Sequence, residues 1–322
     1  MAKSCGATQP GRDFYKKSQS YLREIYRKNF ALPSEAISFA NNVLNSTMDM
    51  SENITVPKDY LEFLQKSFPA FWEMKTAVLR LQTVKQLKEF YAFVLSEGNH
   101  SSSQLFQDVF VDFVFQKSSN KRFLEFGATN GHELSNSFML EQHRGWWGVL
   151  AEPDPQWHMA LKENRPNSTI ITDCIYSRSG ESMRFISSSN GVLSSLKDFC
   201  KDDANGPLTA NAKQRLQDFK EIEVKTISLD DVFELHFNGE PIEYMSVDTE
   251  GSEFEILSKF NFSKYHPSVV TVEHNYTDKQ KKIDELFSKN GYTRVFSVLT
   301  NFDAWYVRTE LAAARGFSTS GS

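Results

Sequence analysis

The chain has 322 residues, of which 40% are hydrophobic and 24% charged, so its composition is that of a globular protein. A net charge of −5 gives no overall basic field that would favour nucleic acid. The cysteines, Cys5, Cys174 and Cys200, show no metal-ligand spacing and fit a reducing compartment. No apolar run is long enough to cross a bilayer, and the N-terminus lacks the apolar core of a signal peptide. We therefore expect a soluble, cytoplasmic protein.

The first hundred residues have a helical pattern without strands. Apolar residues recur at helical spacing in four segments, which predicts helices at about 14–30, 34–44, 57–67 and 72–95. The polar run at 96–100 then predicts a domain boundary. We interpret residues 1–100 as a helical cap or a dimerisation unit through which the chain forms a homo-oligomer, and an acceptor-binding lid is the alternative.

From residue 101 onward, helices and buried strands alternate. This order predicts a doubly wound, mostly parallel α/β sheet over residues 101–308, closed by a C-terminal antiparallel hairpin. Residues 187–221 are rich in Ser, Asn and Lys and predict a long loop, and residues 309–322 predict a disordered tail. The predicted strands are 123–126, 146–151, 169–172, 183–186, 222–227, 242–247, 268–272, 293–299 and 304–307, and the predicted helices are 105–115, 132–143, 154–164, 252–260 and 277–290.

The stretch Phe123–Gly131 places a glycine-rich turn between the first strand and a helix. Its pattern is E-x-G-x-x-x-G, whereas a dinucleotide fold requires G-x-G-x-x-G to hold a pyrophosphate. An acid in the turn, Glu125, would repel a phosphate but could bind an ammonium group. S-adenosylmethionine fits this pattern because it carries an ammonium, a sulfonium and a ribose but no phosphate.

Acidic residues recur where the predicted strands end. A carboxylate that follows a buried strand is costly unless it faces solvent or a ligand, and parallel strands bring their carboxyl ends to one edge of a sheet. We therefore predict a ligand site at that edge. The acids are Glu125, Glu152, Asp173, Asp248 and Glu273.

Several motifs together resemble the FkbM-type methyltransferases, and the resemblance covers about residues 101–308. The run D-T-E-G-S-E-F-E-I-L is the most specific of them. The resemblance implies the class I methyltransferase fold and S-adenosylmethionine-dependent O-methylation, commonly of a sugar, a glycan or a glycosylated small molecule. The matching segments are Ser103–Asp108, Phe123–Gly131, Ala151–Pro153, Gly191–Leu196, Val247–Leu257 and Val272–Asn275.

The cofactor contacts are assigned by position along these strands. Glu125 and the glycine turn are predicted to hold the methionine end, Glu152 the ribose hydroxyls, and Asp173 the adenine amino group. The complete predicted cofactor set is Gln104, Asp108, Glu125, Gly127, Ala128, Asn130, Gly131, Glu152, Pro153, Asp173, Cys174 and Asp248.

The chemistry requires a group that removes the proton of a hydroxyl acceptor. Asp248, Glu250 and His274 are the predicted catalytic residues, with His274 or Asp248 as the base. A divalent ion, Mg²⁺, held by Asp248 and Glu273 is the second hypothesis.

The tryptophans and one serine pair have weaker assignments. Trp146, Trp147 and Trp157 are interpreted mainly as core residues, although their rings could stack on a ligand. Ser194 and Ser195 could donate hydrogen bonds to a hydroxyl-rich acceptor. The alternatives left open are methylation of an RNA 2′-hydroxyl or of a protein, and a non-catalytic module that keeps the fold. Nucleic acid is disfavoured because the chain lacks a basic patch.

Overall fold

The structure is a computed structural model that describes residues 84–202, 209–297 and 299–317. The chain divides into two compact units, Met1–Lys75 and Thr76–Ser322. The predicted helices between residues 14 and 67, the first part of the helix predicted at 72–95 and the proposed oligomer contact lie outside the described residues.

Two sheets form the second unit. The strands, in chain order, are β1 (Arg122–Phe126), β2 (Trp147–Ala151), β3 (Thr169–Ile171), β4 (Cys174–Tyr176), β5 (Ser182–Ser188), β6 (Ser195–Leu196), β7 (Phe219–Ser228), β8 (Tyr244–Val247), β9 (Val269–Glu273), β10 (Tyr292–Val295) and β11 (Asp303–Arg308). Seven of them form a sheet in the order β10-β11-β9-β8-β1-β2-β3, and the other four form a sheet in the order β4-β7-β5-β6.

The helices connect these strands. They are α1 (Val84–Glu97), α2 (Gln107–Val114), α3 (Phe138–Arg144), α4 (His158–Asn164), α5 (Thr209–Arg215), α6 (Leu229–Phe237), α7 (Glu253–Leu257), α8 (Phe262–Tyr265), α9 (Lys279–Lys289) and α10 (Thr309–Ala314). None of the helices in the described part of the chain is long and apolar enough to span a membrane.

The seven-stranded sheet is parallel from β3 to β9, and β11 pairs antiparallel with both β9 and β10. Its central strands are buried and apolar, as parallel strands covered on both faces must be. The chain winds from β1 toward β3 on one side and returns at β8 on the other side. The β1–β8 boundary is therefore the topological switch point, where ligands bind beyond the carboxyl ends of the strands.

The second sheet lies in the region where a long loop was predicted. In place of a continuous loop at 187–221, the structure has a 3-10 turn at Gly191–Leu193, then β6 and α5, and β7 begins at Phe219. The N-terminal half of β7 is mostly exposed, so it carries polar residues and gives little apolar alternation in the sequence. This local polarity explains why the sequence pattern missed the strand.

Both ends of the described chain join one cluster of aromatic rings beside β11. Phe90 of α1 stacks on Phe296 with ring centroids 5.1 Å apart, and Phe110 of α2 stacks on Trp305 at 4.5 Å. Phe317 is buried beside Phe296, with ring centroids 5.3 Å apart. The prediction of disorder is therefore wrong for residues 309–317, where α10 and Phe317 complete the core. Helix α1, which precedes the boundary predicted at residues 96–100, belongs to the same compact unit as the sheet.

Candidate active site

A cavity of about 350 Å³ opens at the carboxyl ends of β1, β2, β8 and β9. This volume is within the range of small-molecule sites. Carboxyl groups are its main charged feature, and no Lys, Arg or His lines it among the residues that the structure describes. The carboxyl residues are Glu152, Asp248, Glu250, Glu273 and Asp303.

Most of these acids form one row across the sheet. Phe126 is opposite both Ala151 and Val247, so Glu152 and Asp248, one residue further on, flank Gly127. Val247 is opposite Val272, which places Glu273 beside Asp248, and Asp303 is opposite Glu273. Since neighbouring strands lie about 4.8 Å apart, the row from Glu152 to Asp303 spans roughly 19 Å of backbone. An acidic row of this kind favours a cationic ligand and opposes a phosphate.

The predicted site residues separate into two groups. Those that line the cavity are Gln104, Gly127, Glu152, Pro153, Cys174, Asp248, Glu250 and Glu273. Those absent from its lining are Asp108, Glu125, Ala128, Asn130, Gly131, Asp173 and His274.

The two glycines of the turn are required by packing. A Cβ on Gly127 would lie 2.0 Å from the backbone oxygen of Asp248, and its φ of +81° is left-handed. A Cβ on Gly131, at φ +73°, would lie 2.5 Å from Leu161 Cδ1. Only glycine fits positions that combine positive φ with so close an approach. Gly127 thus brings β8 against the turn, and Gly131 seats the turn against α4.

Glu125 holds the turn together and does not face the ligand cavity. Its carboxylate accepts hydrogen bonds from Ser135 Oγ at 2.9 Å, from the Asn136 backbone N–H at 2.7 Å, and from Ser137 Oγ. These bonds keep residues 132–137 out of a helix, so α3 begins at Phe138 and not at His132 as predicted. Burial raises the pKa of Glu125. This arrangement does not favour its predicted contact with the methionine end of the cofactor, which stays a prediction.

Arg165 supports the same turn from the opposite side. Its guanidinium is fully buried and donates to Glu141 Oε2 at 2.8 Å, to the Gly131 carbonyl at 3.0 Å and to Ser137 Oγ at 3.0 Å. A paired and hydrogen-bonded buried charge of this kind fixes the geometry of the loop. The sequence analysis missed Arg165 because its partners lie 24 to 34 positions away.

Asp108 and Asn130 have local structural roles. The Asp108 carboxylate accepts hydrogen bonds from Ser101 Oγ at 2.6 Å and Ser103 Oγ at 2.7 Å, which shapes the loop that carries Gln104 into the cavity. Asn130 Oδ1 accepts from the backbone N–H groups of His132 and Glu133, as in an Asx turn. Ala128 is buried, and its backbone N–H donates to the Ala151 carbonyl. These residues shape the site but do not line it.

Glu152 lies where the sequence predicts a ribose-binding acid. Its two carboxyl oxygens accept hydrogen bonds from the backbone N–H groups of Thr129 and Asp154, each at 2.8 Å. Burial raises its pKa from 4.5 to about 8, although these backbone donors oppose the shift. A buried carboxyl group fixed in position at the end of β2 is well placed to accept hydrogen bonds from a ligand diol.

The acid at the next strand end lies outside the cavity lining, which does not favour its predicted contact with the adenine. Asp173 is half-buried and does not line the cavity. Cys174 does line it, and burial raises the pKa of its thiol to about 12. Cys174 therefore offers an uncharged, apolar surface.

Asp248, Glu250 and Glu273 form an acid cluster beside Gly127, with one oxygen of each within 4.8 Å of the others. Asp248 and Glu273 share a hydrogen bond, and burial together with the Asp248 charge raises the pKa of Glu273 well above its usual range. A protonated Glu273 therefore donates to Asp248, as expected for two adjacent buried carboxyls. This cluster is also the set of residues that could hold a divalent ion.

His274 has no free ring nitrogen for catalysis. Its Nε2 lies 3.1 Å from the Asp303 carbonyl, and its Nδ1 accepts from the Tyr276 backbone N–H at 3.1 Å. These contacts select the neutral Nε2–H tautomer, and burial lowers the pKa of His274 to about 4. These contacts do not favour His274 as the catalytic base, so of the two predicted bases Asp248 is the better placed.

The segment between β5 and β7 forms a wall of the cavity rich in amides. Asn190, Asn211 and Gln214 line it, as does Ser194. Ser194 Oγ already donates to Asp154 Oδ2 at 2.9 Å and accepts from the Ser188 backbone N–H, so it holds the wall in place. The predicted contact of Ser194 with an acceptor hydroxyl would compete with these bonds.

A buried arginine that the sequence analysis missed ties this wall to the acid cluster. Arg215 donates to the Leu193 carbonyl at 2.6 Å, the Cys200 carbonyl at 2.9 Å and Glu250 Oε2 at 2.6 Å. Glu250 is thus partly neutralised by a residue that does not itself line the cavity.

The tryptophans considered in the sequence analysis differ in burial and in what they contact. Trp146 is buried and donates from Nε1 to the Ser118 carbonyl at 2.7 Å, whereas Trp147 is about half exposed. Trp157 packs so closely on Gly191 that a Cβ there would lie 2.4 Å from its ring. Trp157 therefore supports the wall from behind.

The sequence profile of the methyltransferase FkbM domain matches residues 125–294, more than half of the chain. The chain belongs to the FkbM methyltransferase family. The sequence-based assignment to this family is confirmed, and the doubly wound, mostly parallel sheet with an antiparallel C-terminal hairpin that it implies is the sheet observed. No curated protein matches the chain significantly.

The solved structures to which the chain is similar are distant in sequence. Precorrin-6y C5,15-methyltransferase from Geobacter metallireducens is 12% identical, with a TM-score of 0.30 over 57% of this chain and 71% of that one. A SAM-dependent methyltransferase from Geobacter sulfurreducens, solved with S-adenosyl-L-homocysteine, is 11% identical, with a TM-score of 0.29 over 63% and 71%. The Methanococcus jannaschii fibrillarin pre-rRNA processing protein is 13% identical, with a TM-score of 0.31 over 59% and 66%.

Proposed function

We propose that the protein transfers the methyl group of S-adenosylmethionine to a hydroxyl of an uncharged, hydroxyl-rich acceptor such as a sugar or a glycan. The observation that carries this proposal is the composition of the cavity. Its lining combines carboxyl groups with amides, and no basic residue lines it among the described residues. Such a lining suits a cationic donor and a neutral acceptor.

The donor fits the row of acids. S-adenosylmethionine supplies a methyl group on a sulfonium, whose positive charge a neighbouring carboxylate stabilises. Glu152 would accept the ribose hydroxyls, as its position at the end of β2 predicts. Gly127 lies between Glu152 and Asp248 in this row and lines the cavity, so a ligand can contact its backbone there.

Asp248 would act as the general base. The hydrogen bond from Glu273 keeps Asp248 the more acidic of the two carboxyls and orients it. As the acceptor oxygen forms its bond to the methyl carbon, its proton passes to Asp248, and the sulfur keeps the electron pair of the broken bond. Alignment of the three atoms contributes most of the rate, and the base adds to it.

The acceptor would contact the amide wall. Asn211 and Gln214 of α5 and Asn190 can both donate and accept hydrogen bonds, as a sugar requires. Arg215 positions this wall relative to Glu250. An RNA 2′-hydroxyl is a weaker candidate because its flanking phosphates would meet the carboxyl groups of the cavity.

Two measurements test the proposal. Isothermal titration calorimetry of the full chain with S-adenosylhomocysteine should give saturable binding, whereas absence of binding would favour a non-catalytic module. Candidate glycans incubated with enzyme and isotope-labelled donor should then gain one labelled methyl group, detected by mass spectrometry. Labelling confined to RNA or protein, with glycans left unlabelled, would contradict the assigned acceptor.

A further inference from the structure

Asp303 is a buried acid at the far end of the row that the sequence analysis did not select. It begins β11 opposite Glu273, lines the cavity and is only 3% exposed. Gln107 Nε2 and Trp305 Nε1 each donate to its Oδ2 at 3.0 Å, and the Ala304 backbone N–H donates to Oδ1. Its side chain is therefore held in one orientation by uncharged donors.

Within the described part of the chain, no Lys, Arg or His side chain forms an ion pair with Asp303. The nearby Arg294 is paired with Asp284 at 2.9 Å and acts on Asp303 only at a distance. Burial raises the pKa of Asp303 to about 6, and the side chains that donate to it are uncharged. A buried carboxylate is costly unless a positive group pairs with it, and a ligand can supply that group.

Asn136 gives a second, independent sign of a missing donor. It lines the same cavity and is 8% exposed, and its Nδ2 donates to Ser246 Oγ at 2.9 Å. Its Oδ1 is buried and has no hydrogen-bond partner. Such an acceptor is rare in a native protein and requires a donor. The adjacent Glu125 does not line the cavity, so its carboxyl group is not offered to a ligand there.

We propose that the Asp303 carboxylate, with Asn136 Oδ1, binds the α-ammonium group of S-adenosylmethionine. This inference rests on the proposed function. In the donor, the sulfonium lies between the ribose and the ammonium-bearing carbon. The row has the same order, with Glu152 at one end, Asp248 within it and Asp303 at the other end. An ammonium has three N–H donors, enough for both acceptors.

The test compares two probes that differ in the amino-acid portion. S-adenosylhomocysteine carries the ammonium, and 5′-methylthioadenosine keeps the adenine, ribose and thioether without it. By calorimetry on the full chain, Asp303→Asn should weaken S-adenosylhomocysteine binding about 10- to 100-fold, the range of a charge-assisted hydrogen bond. Binding of 5′-methylthioadenosine should stay within about twofold. As a matched control, Glu152→Gln should weaken both probes, because both carry the ribose.

A deaminated analogue of S-adenosylhomocysteine provides a measurement on the unaltered protein, so the test does not depend on the folding of a variant. The analogue should bind the unaltered protein about as weakly as S-adenosylhomocysteine binds Asp303→Asn. The analogue should bind Asp303→Asn with almost the same affinity as it binds the unaltered protein, because it lacks the ammonium that Asp303 would contact. The four affinities together form a double-mutant cycle.

Equal weakening of both probes by Asp303→Asn, or no weakening of either, overturns the inference. So does full affinity of the unaltered protein for the deaminated analogue. If the unaltered protein binds neither probe, the proposed function fails as well. If it binds both but Asp303→Asn changes nothing, only the ammonium assignment fails.

Discussion

Glutamine at position 152 should change how stability depends on pH. In the unliganded protein, burial raises the pKa of Glu152 from 4.5 to about 8, so the folded protein keeps a proton that the unfolded chain releases. Because the folded state then binds more protons, the contribution of Glu152 to stability falls as pH rises from about 4.5 to about 8. Glutamine does not titrate and removes this dependence.

The size of this change in stability follows from the difference between the two pKa values. A shift from 4.5 to about 8 corresponds to at most about 5 kcal/mol. We expect about 2–4 kcal/mol between pH 5 and pH 8, because this window covers only part of the interval between the two pKa values. Glutamine also loses one acceptor for the backbone N–H groups of Thr129 or Asp154, which costs about 1–3 kcal/mol at every pH. Glu152→Gln should therefore be destabilising at pH 5 and neutral or stabilising at pH 8.

Urea unfolding of the unliganded protein at several pH values measures this difference. The other titrating groups are common to both proteins, so they largely cancel in the comparison. Glu163→Gln, on the exposed face of α4, is the control and should give a difference that does not change with pH. A difference for Glu152→Gln that stays flat from pH 5 to pH 8, or that changes in the opposite direction, would refute the reasoning.

Three further outcomes follow from the site. Asp248→Asn should lower turnover about 10²–10⁴-fold, while the affinity for S-adenosylhomocysteine changes little. His274→Gln should not abolish turnover. Loss of turnover in His274→Gln, with turnover kept in Asp248→Asn, would restore His274 as the base. EDTA should abolish activity, and Mg²⁺ restore it, if a divalent ion at Asp248, Glu250 and Glu273 is required; full activity in EDTA would exclude that requirement. Gly127→Ala should destabilise the fold by more than about 3 kcal/mol in urea unfolding, since its Cβ would meet a backbone oxygen; a change below 1 kcal/mol would contradict this.

The strands of the central sheet were predictable because strands buried on both faces consist mostly of apolar residues. Short, mostly apolar runs identify β1, β2, β8 and β9, and the order of elements predicts a doubly wound sheet. The second sheet was harder to predict, because the exposed half of β7 has the polar composition of a loop. Its stability comes from the long pairing with β5, which local composition does not encode.

The contacts that decide the roles of several site residues join parts of the chain that are far apart in sequence. The ring of His274 is held by a carbonyl 29 positions away, and the Asp303 carboxyl group is held by Gln107, 196 positions away. Neither pairing leaves a local pattern. The left-handed backbone at Glu250, Asn275 and Tyr276 likewise concentrates strain at the strand ends, which the sequence alone did not reveal.

One distinction could have been drawn from the sequence, because the position of an acid relative to its strand end decides its role. Glu152 and Asp248 each come one residue after their strand ends, and Glu273 is the last residue of β9; all three line the cavity. Glu125 is the penultimate residue of β1, opposite Ser246, so its carboxylate lies within the sheet layer and must be satisfied by the protein itself. An acid two residues before the glycine of a strand-end turn is therefore better interpreted as a brace for that turn than as a ligand contact.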